Sequence, residues 1–541
     1  MTAVAEDRTG EYLRRGWWRS GTFLDDLREQ ARRRPHKTAV AARRIAASRT
    51  ETFDYAELSR LTDRFAGALL ELGVRRGDHI AVQLPNRWEI VPLMFATMAV
   101  GAVIVPIAPD CTETELRHRL GMTEARVCVT IPEWAGHPLA EIVVGLRAEL
   151  AGLEHVLVLD GPPPEGARDF HGHFVDVPWE RNHVLEGLAL DADEPYVVLF
   201  TSGTTGASKG VLHSQNTIYG ALRGYVEALG LDEDLVKAVT SPLVHYSGFA
   251  QGILAGVLVG GTIAFQDVKD NPALLELVER HRATLLYGPP STMAAVRDAQ
   301  RANPRDVGSL RQSVIGTAPV LPGLVADLRE VLGVRTHSLW GMSEFGPVTM
   351  TRDDDPEGAA GASNGRAITG LEVRIDSSGL PGDGSIGRLW ARGASRSLGY
   401  FKRQDLFDTE LDAQGWFDTG DLACHDGDGG IRIICRARDA IVRDGLIVPL
   451  VVVEAVLESH RLVSEASLVG LSVEGGEDVV CAVVVPAGER SPSLEELRGH
   501  VRAAGLDVRS LPDRVELLDA LPKTLTGKIR KAALRERYAG N

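Results

Sequence analysis

The sequence predicts an α/β protein with a large N-terminal region of parallel sheets flanked by helices, a small β subdomain, and a small α+β C-terminal domain. Three observations predict it. Helical and strand-like stretches alternate to about residue 340, the pattern of parallel sheets covered by helices. From about residue 371 short alternating runs take over, separated by turns such as Gly382-Asp383-Gly384 and Gly427-Asp428-Gly429-Gly430. At 541 residues the chain exceeds what a single hydrophobic core can hold.

Taken in order, residues 1 to about 20 form a lead-in whose Trp17 and Trp18 must cover something apolar. Asp54 and Glu57 make a capping pair that opens a helix, with Leu58, Leu61, Phe65 and Leu69 on one face and Gly73 as its stop. A strand follows at residues 79–84. Residues 90–108 are apolar over a length that could span a bilayer, but Pro92, Thr97, Gly101 and Pro106 interrupt the run. It divides at Gly101 into a buried helix and a buried strand. Residues 249–259 read as a helix, Gly260-Gly261 as a turn and residues 262–265 as a strand. No internal repeat or low-complexity tract occurs. After Asp439 a final section of about a hundred residues carries its own strands and helices.

Apolar residues make up 44% of the chain and charged residues 25%, as in an ordinary globular protein. A net charge of −15 argues against a nucleic-acid partner, because phosphate binding needs a basic face. Cys111, Cys128, Cys424, Cys435 and Cys481 show no C-x-x-C spacing and no neighbouring histidine pair. Neither a zinc site nor a disulfide framework is expected, and reduced thiols fit a cytoplasmic protein. The N-terminal residues Glu6, Asp7, Arg8 and Glu11 lack the apolar core of a signal peptide.

The most informative stretch is residues 199–210, Leu-Phe-Thr-Ser-Gly-Thr-Thr-Gly-Ala-Ser-Lys-Gly, at the end of an apolar run, 196–200, that reads as a buried strand. Gly203, Gly206 and Gly210 let the backbone bend so that successive N–H groups point inward, making a concavity suited to an anion. Thr201, Ser202, Thr204 and Thr205 add hydroxyls, and Lys209 adds a full charge. This composition suits a polyphosphate. It is not a Walker A loop, since Ser208 stands where that pattern needs its second glycine.

The whole string resembles the signature loop of the adenylate-forming superfamily, which holds acyl-CoA synthetases, aryl-acid ligases, peptide-synthetase adenylation domains and luciferase. The resemblance covers nearly the full length, closest in style to cyclohexanecarboxylate and medium-chain acyl-CoA ligases. It implies that residues 313–319, with Gly316, Thr317, Ala318 and Pro319, lie against the adenine. In the segment Leu339-Trp340-Gly341-Met342-Ser343-Glu344 it implies a π face for the purine from Trp340, a hydroxyl for the α-phosphate from Ser343, and a Mg²⁺ ligand in Glu344, with Thr204 as a second. Trp416-Phe417-Asp418-Thr419-Gly420-Asp421 matches the family's ribose motif, with Asp421 accepting both hydroxyls and Arg436 as a further ribose contact. Leu521-Pro522-Lys523-Thr524-Leu525-Thr526-Gly527-Lys528 resembles the mobile loop that delivers the adenylation lysine, here Lys528. His245, with Tyr246 and Gly341, matches the acyl and acceptor pocket. No Gly-x-Ser-x-Gly elbow surrounds Ser247, so a hydrolase pair with His245 has little support. The resemblance also divides the chain into residues 1–438 and a mobile domain of residues 439–541, with Asp439 as hinge.

Physical chemistry asks for these groups independently. An oxyanion must approach the α-phosphorus of a polyanion, and each like-charge pair at 4 Å costs about 1 kcal/mol in water and about 4 kcal/mol at an effective dielectric of 20. Mg²⁺, Lys209 and Lys528 cancel that repulsion, and no protein nucleophile is required.

One motif departs from the family. Its CoA ligases carry Arg-Gly-Gly-Glu-Asn-Ile-Pro and then Glu-x-Glu, whereas this chain reads Arg443-Asp444-Gly445-Leu446-Ile447-Val448-Pro449, then Val452-Val453-Glu454. The leading expectation is an ATP-dependent, AMP-forming ligase that passes a medium-chain, alicyclic or aryl carboxylate to CoA. The altered loop at Asp444, Gly445 and Leu446 keeps a second reading open, a non-CoA acceptor. That reading covers an amine, a carrier protein, and diazotase-like activation of nitrite for transfer to an aryl amine. A non-catalytic nucleotide-binding regulator is the third reading, and Glu344, Asp421 and Lys528 speak against it.

Overall fold

The structure is a computed structural model that describes residues 3–201, 208–471, 478–523 and 529–539. Among the described residues two large sheets build the N-terminal region. In the first, Thr38–Arg44, Thr262–Gln266, Val236–Val239, Leu285–Gly288, Gln312–Ile315 and Arg335–Met342 are parallel neighbours in that order. In the second, the parallel order is Arg168–Asp169, His155–Val158, Val127–Thr130, His79–Gln83, Val103–Ile107 and Pro195–Phe200.

Neither sheet is wholly parallel. Arg49–Asp54 and Gly346–Met350 border the first sheet antiparallel, and Gly210–Ser214 and Gly399–Tyr400 do so in the second. For Arg49–Asp54, Gly346–Met350 and Gly210–Ser214 the reason is connection length. Each follows its partner strand directly, and a short link can join only antiparallel neighbours, while a parallel step needs a crossover, usually a helix.

Side-chain alternation sets the layers. Val40, Val82, Tyr196, Val239 and Phe265 enter one central core with the helices Tyr55–Glu71, Ile90–Ala99 and Gln215–Leu229. Their strand neighbours Ala41, Ala238 and Ala264 face a second core under Asn271–His281, Pro290–Ala302 and Pro322–Leu332. Ala81, Cys128 and Val198 face a third, under Glu113–Thr123 and Leu139–Glu149. Helices therefore cover both faces of each sheet.

Local signals act as the sequence indicates. Glu57 N–H donates to Asp54 Oδ1 at 2.8 Å and Asp54 N–H to Glu57 Oε2 at 3.0 Å, closing the capping box. Leu58, Leu61, Phe65 and Leu69 are buried, and Gly73 adopts φ +72° past the helix end. Every residue of helix Ile90–Ala99 is buried, and strand Val103–Ile107 follows it. No helix of the described residues is long and apolar enough to cross a membrane. Residues 249–259 differ from a plain α-helix: Ser247–Leu254 is a π-helix that runs into the α-helix Ala255–Val259. In the lead-in, Trp18 Nε1 donates to Ala394 O at 2.7 Å and Trp17 packs against Gly370.

Leu371–Asp376, Gly387–Gly393, Phe417–His425 and Ile431–Arg436 form an antiparallel sheet, as the change of texture at residue 371 predicts. Beyond it, Val463–Leu471, Val479–Pro486 and Arg514–Leu517 make a three-stranded sheet with the helices Leu450–Glu458, Leu494–Ala503 and Lys531–Tyr538 around it. Its core is continuous with the preceding sheet, because Leu422, Ile434 and Cys435 pack with Ile447, Val448, Leu450 and Val453. All five cysteines are free.

Candidate active site

The glycine-rich segment joins two antiparallel strands. Phe200 is paired with Gly210, and Thr201 N–H donates to Lys209 O at 3.0 Å, so the base of the segment is pinned on both sides. Ser202, Gly203, Thr204, Thr205 and Gly206, named in the sequence reading, lie outside the described residues, as does Lys528.

At that base the Lys209 ammonium lies 4.6 Å from the centroid of the Tyr400 ring and 4.0 Å from Glu410 Oε1. Tyr400 reaches this place because Gly399–Tyr400 pairs with the outgoing strand, Tyr400 opposite Val211. Its hydroxyl donates to Glu344 Oε1 at 2.8 Å, and Glu344 is buried, 7% exposed. Burial first, and the Glu344 charge next, raise the Tyr400 phenol far above its usual value, so it remains a donor. Burial also raises Glu410, against the pull of Lys209. Neither Tyr400 nor Glu410 carries a spacing signal that sequence reasoning could use.

Glu344 follows strand Arg335–Met342, beside the strand that delivers residues 316–319. Gly316 packs so closely that a Cβ there would sit 3.0 Å from Leu339 O. Thr317 takes φ +72°, a left-handed conformation unusual for a β-branched residue and characteristic of functional turns. Ala318 is half-buried and Pro319 exposed. Gly341 has no room for a side chain, since a Cβ would lie 2.2 Å from Gly346 O. Met342 is half-buried against the central core. The Ser343 carbonyl accepts a hydrogen bond from His213 Nε2 at 2.7 Å. Full burial lowers that imidazole to about 4, so it stands neutral.

Trp340 has a polar contact that the sequence does not show. It is only 9% exposed, packs into the central core, and its Nε1–H donates to Asp421 Oδ2 at 3.0 Å. Arg436 Nε meets Asp421 Oδ1 at 3.1 Å.

His245 Nδ1 lies 3.0 Å from Ser247 Oγ. Tyr246 stacks edge-on against His213 at 5.5 Å, and a Cβ on Gly346 would meet its hydroxyl at 2.3 Å. The structure thus brings His245, Tyr246, Gly341, Ser343 and Glu344 to one region.

The altered loop has a simple backbone form. Asp444 and Gly445, φ +48° and +73°, are the two central residues of a hairpin between Val442–Arg443 and Leu446–Ile447. Two consecutive left-handed residues are what a type I′ turn requires, and Asp-Gly is a favoured pair for it. Leu446 lies beside the turn at Gly382, and the apolar residues that follow fill the C-terminal core. Asp439 ends the short turn Ala437–Asp439, where its Oδ1 is held by Arg535 Nη1 at 2.6 Å. No group of three or more His, Cys, Asp or Glu side chains among the described residues could hold a metal by itself.

Comparison with known proteins identifies the family. The profile of the AMP-binding enzyme family matches residues 27–401, and that of the AMP-binding enzyme C-terminal domain matches residues 452–528. The chain is 29% identical over 534 residues to the medium-chain fatty-acid–CoA ligase of Escherichia coli (strain K12), covering 98% of this chain and 93% of that one. Its fold superposes with a TM-score of 0.84 on the anthranilate CoA ligase AuaEII in complex with anthranoyl-AMP, at 24% identity over 96% and 97% of the two chains. The amide bond synthetase McbA from Marinactinospora thermotolerans gives a TM-score of 0.80 at 28% identity, covering 96% of this chain and all (100%) of the other. A loop base with an ammonium beside a tyrosine-bound glutamate, a match over both regions, and a shared whole-chain fold have one common explanation: this chain belongs to the AMP-binding enzyme family and is an adenylate-forming, AMP-forming ligase.

Proposed function

We propose that the chain activates a small carboxylate, of medium-chain, alicyclic or aryl type, and transfers the acyl group to CoA. The observation that carries this is the Lys209–Tyr400–Glu344 cluster at the base of the glycine-rich segment, in a chain similar throughout its length to a fatty-acid–CoA ligase. A carboxylate oxygen attacks the α-phosphorus, the bond to pyrophosphate breaks, and an acyl adenylate forms. The thiol of CoA then adds to the acyl carbonyl and AMP leaves.

The roles follow from chemistry. Lys209 and Lys528 offset the charge at the phosphates, with the hydroxyls and amides of residues 201–206 around them. Asp421 and Arg436 orient the ribose, and Trp340 holds Asp421 in place through its N–H. The turn at Gly316, Thr317, Ala318 and Pro319 lines the adenine side, with Gly341, Met342 and Ser343 opposite. Mg²⁺ suits Glu344, because this ion is commonly held by one or two carboxylates plus substrate phosphates rather than by a protein cage; Thr204 would be a second contact. When bound it neutralises phosphate charge. Tyr400 fixes one Glu344 oxygen and so aims the other. His245 and Tyr246 line the acid pocket, and residues 439–541 turn about Asp439 between the two half-reactions.

A second reading, transfer to an amine, is favoured by the Asp444–Gly445 hairpin in place of the family's glycine pair and by the similarity to an amide bond synthetase. The test is AMP formation with acids, alone and with CoA or an amine. Stimulation by CoA supports the first reading, and stimulation by amines alone replaces it with the second. A requirement for nitrite with an aryl amine would replace both.

A further inference from the structure

Strand Val236–Val239 carries a lysine where its neighbours are apolar. Lys237 is fully buried, 0% exposed, between helix Gln215–Leu229, strand Leu285–Gly288 and the π-helix Ser247–Leu254. Its ammonium donates to Tyr225 Oη at 2.8 Å and to Gln251 O at 2.6 Å, and lies 4.8 and 4.7 Å from the ring centroids of Tyr225 and Tyr287. An ammonium has three donors, and these bonds use two. Among the described residues no carboxylate pairs with Lys237.

Unmet polar groups occur on the π-helix and at its N-cap residue, Tyr246. Gln251 is 3% exposed, and its Nε2 has no partner among the described residues. Tyr246 is 4% exposed, and its hydroxyl has none either. Buried polar atoms are normally paired, so two orphans on the element that contacts an uncompensated cation mark a place built for something else. A polar chain connects this place to the candidate acid pocket: Tyr287 Oη donates to Gln251 Oε1 at 3.0 Å, Ser247 is a further hydrogen-bonding neighbour of Tyr287, and Ser247 reaches His245 at 3.0 Å. The π-helix that carries Ser247 and Gln251 is a form that recurs at functional sites.

We infer that Lys237, with Gln251 and Tyr246, forms the far end of the acid pocket and selects a carboxylic acid that bears a second anionic oxygen, such as a dicarboxylate. This inference rests on the reading of His245 as a residue of that pocket. An apolar acid would leave the ammonium and both orphans unsatisfied. A second carboxylate supplies the missing countercharge and an acceptor for the orphaned donors, Gln251 Nε2 next to Lys237 and Tyr246 Oη at the head of the same π-helix. The titratable groups of this site besides Lys237 are the phenols of Tyr225, Tyr287 and Tyr246, all held far above their usual values by burial, so no protein charge competes. Burial alone lowers the free ammonium to about 7. An anion beside it raises that value again, so binding the diacid above pH 7 takes up a proton.

The experiment is ATP–pyrophosphate exchange by the full chain with matched acids: hexanoate and adipate, benzoate and terephthalate. The expected result is at least a 30-fold higher kcat/KM for one diacid than for its monoacid partner. Its KM should rise about tenfold per pH unit between pH 7.5 and 9, while the monoacid KM stays flat. Lys237→Met removes both the preference and the pH slope and leaves the KM for ATP unchanged. If that variant does not fold, the wild-type slope decides alone. Equal use of mono- and diacids, or a preference and slope that survive Lys237→Met, overturns the inference and leaves adenylation standing. Exchange with no acid overturns both.

Discussion

Among the described residues Tyr400 ties the loop lysine to the buried glutamate. Removing its hydroxyl leaves the ring under Lys209 but frees Glu344, and a hydrogen bond to a charged group is worth about 1.5–3 kcal/mol. Tyr400→Phe is therefore expected to slow pyrophosphate exchange about tenfold with little effect on folding. Lys209→Ala should cost on the order of 10²–10³, as loss of a positioned transition-state donor does. Steady-state exchange kinetics on both variants check this. At Gly346, where an added Cβ would meet Tyr246 Oη and the backbone is left-handed, Gly346→Ala should raise the KM for the acid about tenfold and leave that for ATP alone. Glu344, Trp340 and Asp421 stand out as candidates in the sequence because they sit in strings that recur as units. Tyr400 does not, since it lies 56 positions from Glu344 and is brought to it by strand pairing alone. Lys237 is equally silent: one lysine in an apolar strand shows its burial only when the sheet is assembled.

Among the elements, the glycine-rich segment owes its position to a hairpin rather than to a strand–helix step. The apolar run before it announces the first strand, but the antiparallel return of Gly210–Ser214 is visible only in the pairing. The loop at Asp444 shows the converse. As a string it departs from the family's pattern; as backbone it is a tight turn followed by a core helix with Leu450, Val453 and Leu457 inward. The two large sheets are themselves clamped by charge. Arg44 and Arg87 each meet both Asp160 and Asp267, with Arg87 Nη1 2.6 Å from Asp267 Oδ2. Asp267 is buried, so Asp267→Ala leaves two guanidiniums with one partner, Asp160. We expect it to cost about 2 kcal/mol, less than the full penalty for an orphaned buried charge because Asp160 remains. A lower urea midpoint with an unchanged KM for ATP would show it.

For the whole molecule, helix and strand order and the change of texture at residue 371 were legible, because hydrophobic periodicity sets both. How the last section packs was not, because its core borrows Leu422, Ile434 and Cys435 from the preceding sheet. Glu458 in that section is raised by burial to about 7, well above an exposed carboxyl. The folded state then holds a proton that the unfolded chain releases, so stability falls as pH rises from about 4.5 to about 7. Glu458→Gln should abolish this slope and stabilise the chain at pH 8 by about 1 kcal/mol, discounted for partial exposure, as read from urea midpoints at pH 5 and 8. The measurement closest to the central claim is isotope exchange of pyrophosphate into ATP across a range of carboxylates, without CoA. The account predicts exchange with at least one acid, reduced at least a hundredfold by Lys528→Ala. Exchange with none, or exchange that Lys209→Ala and Lys528→Ala leave unchanged, would contradict it.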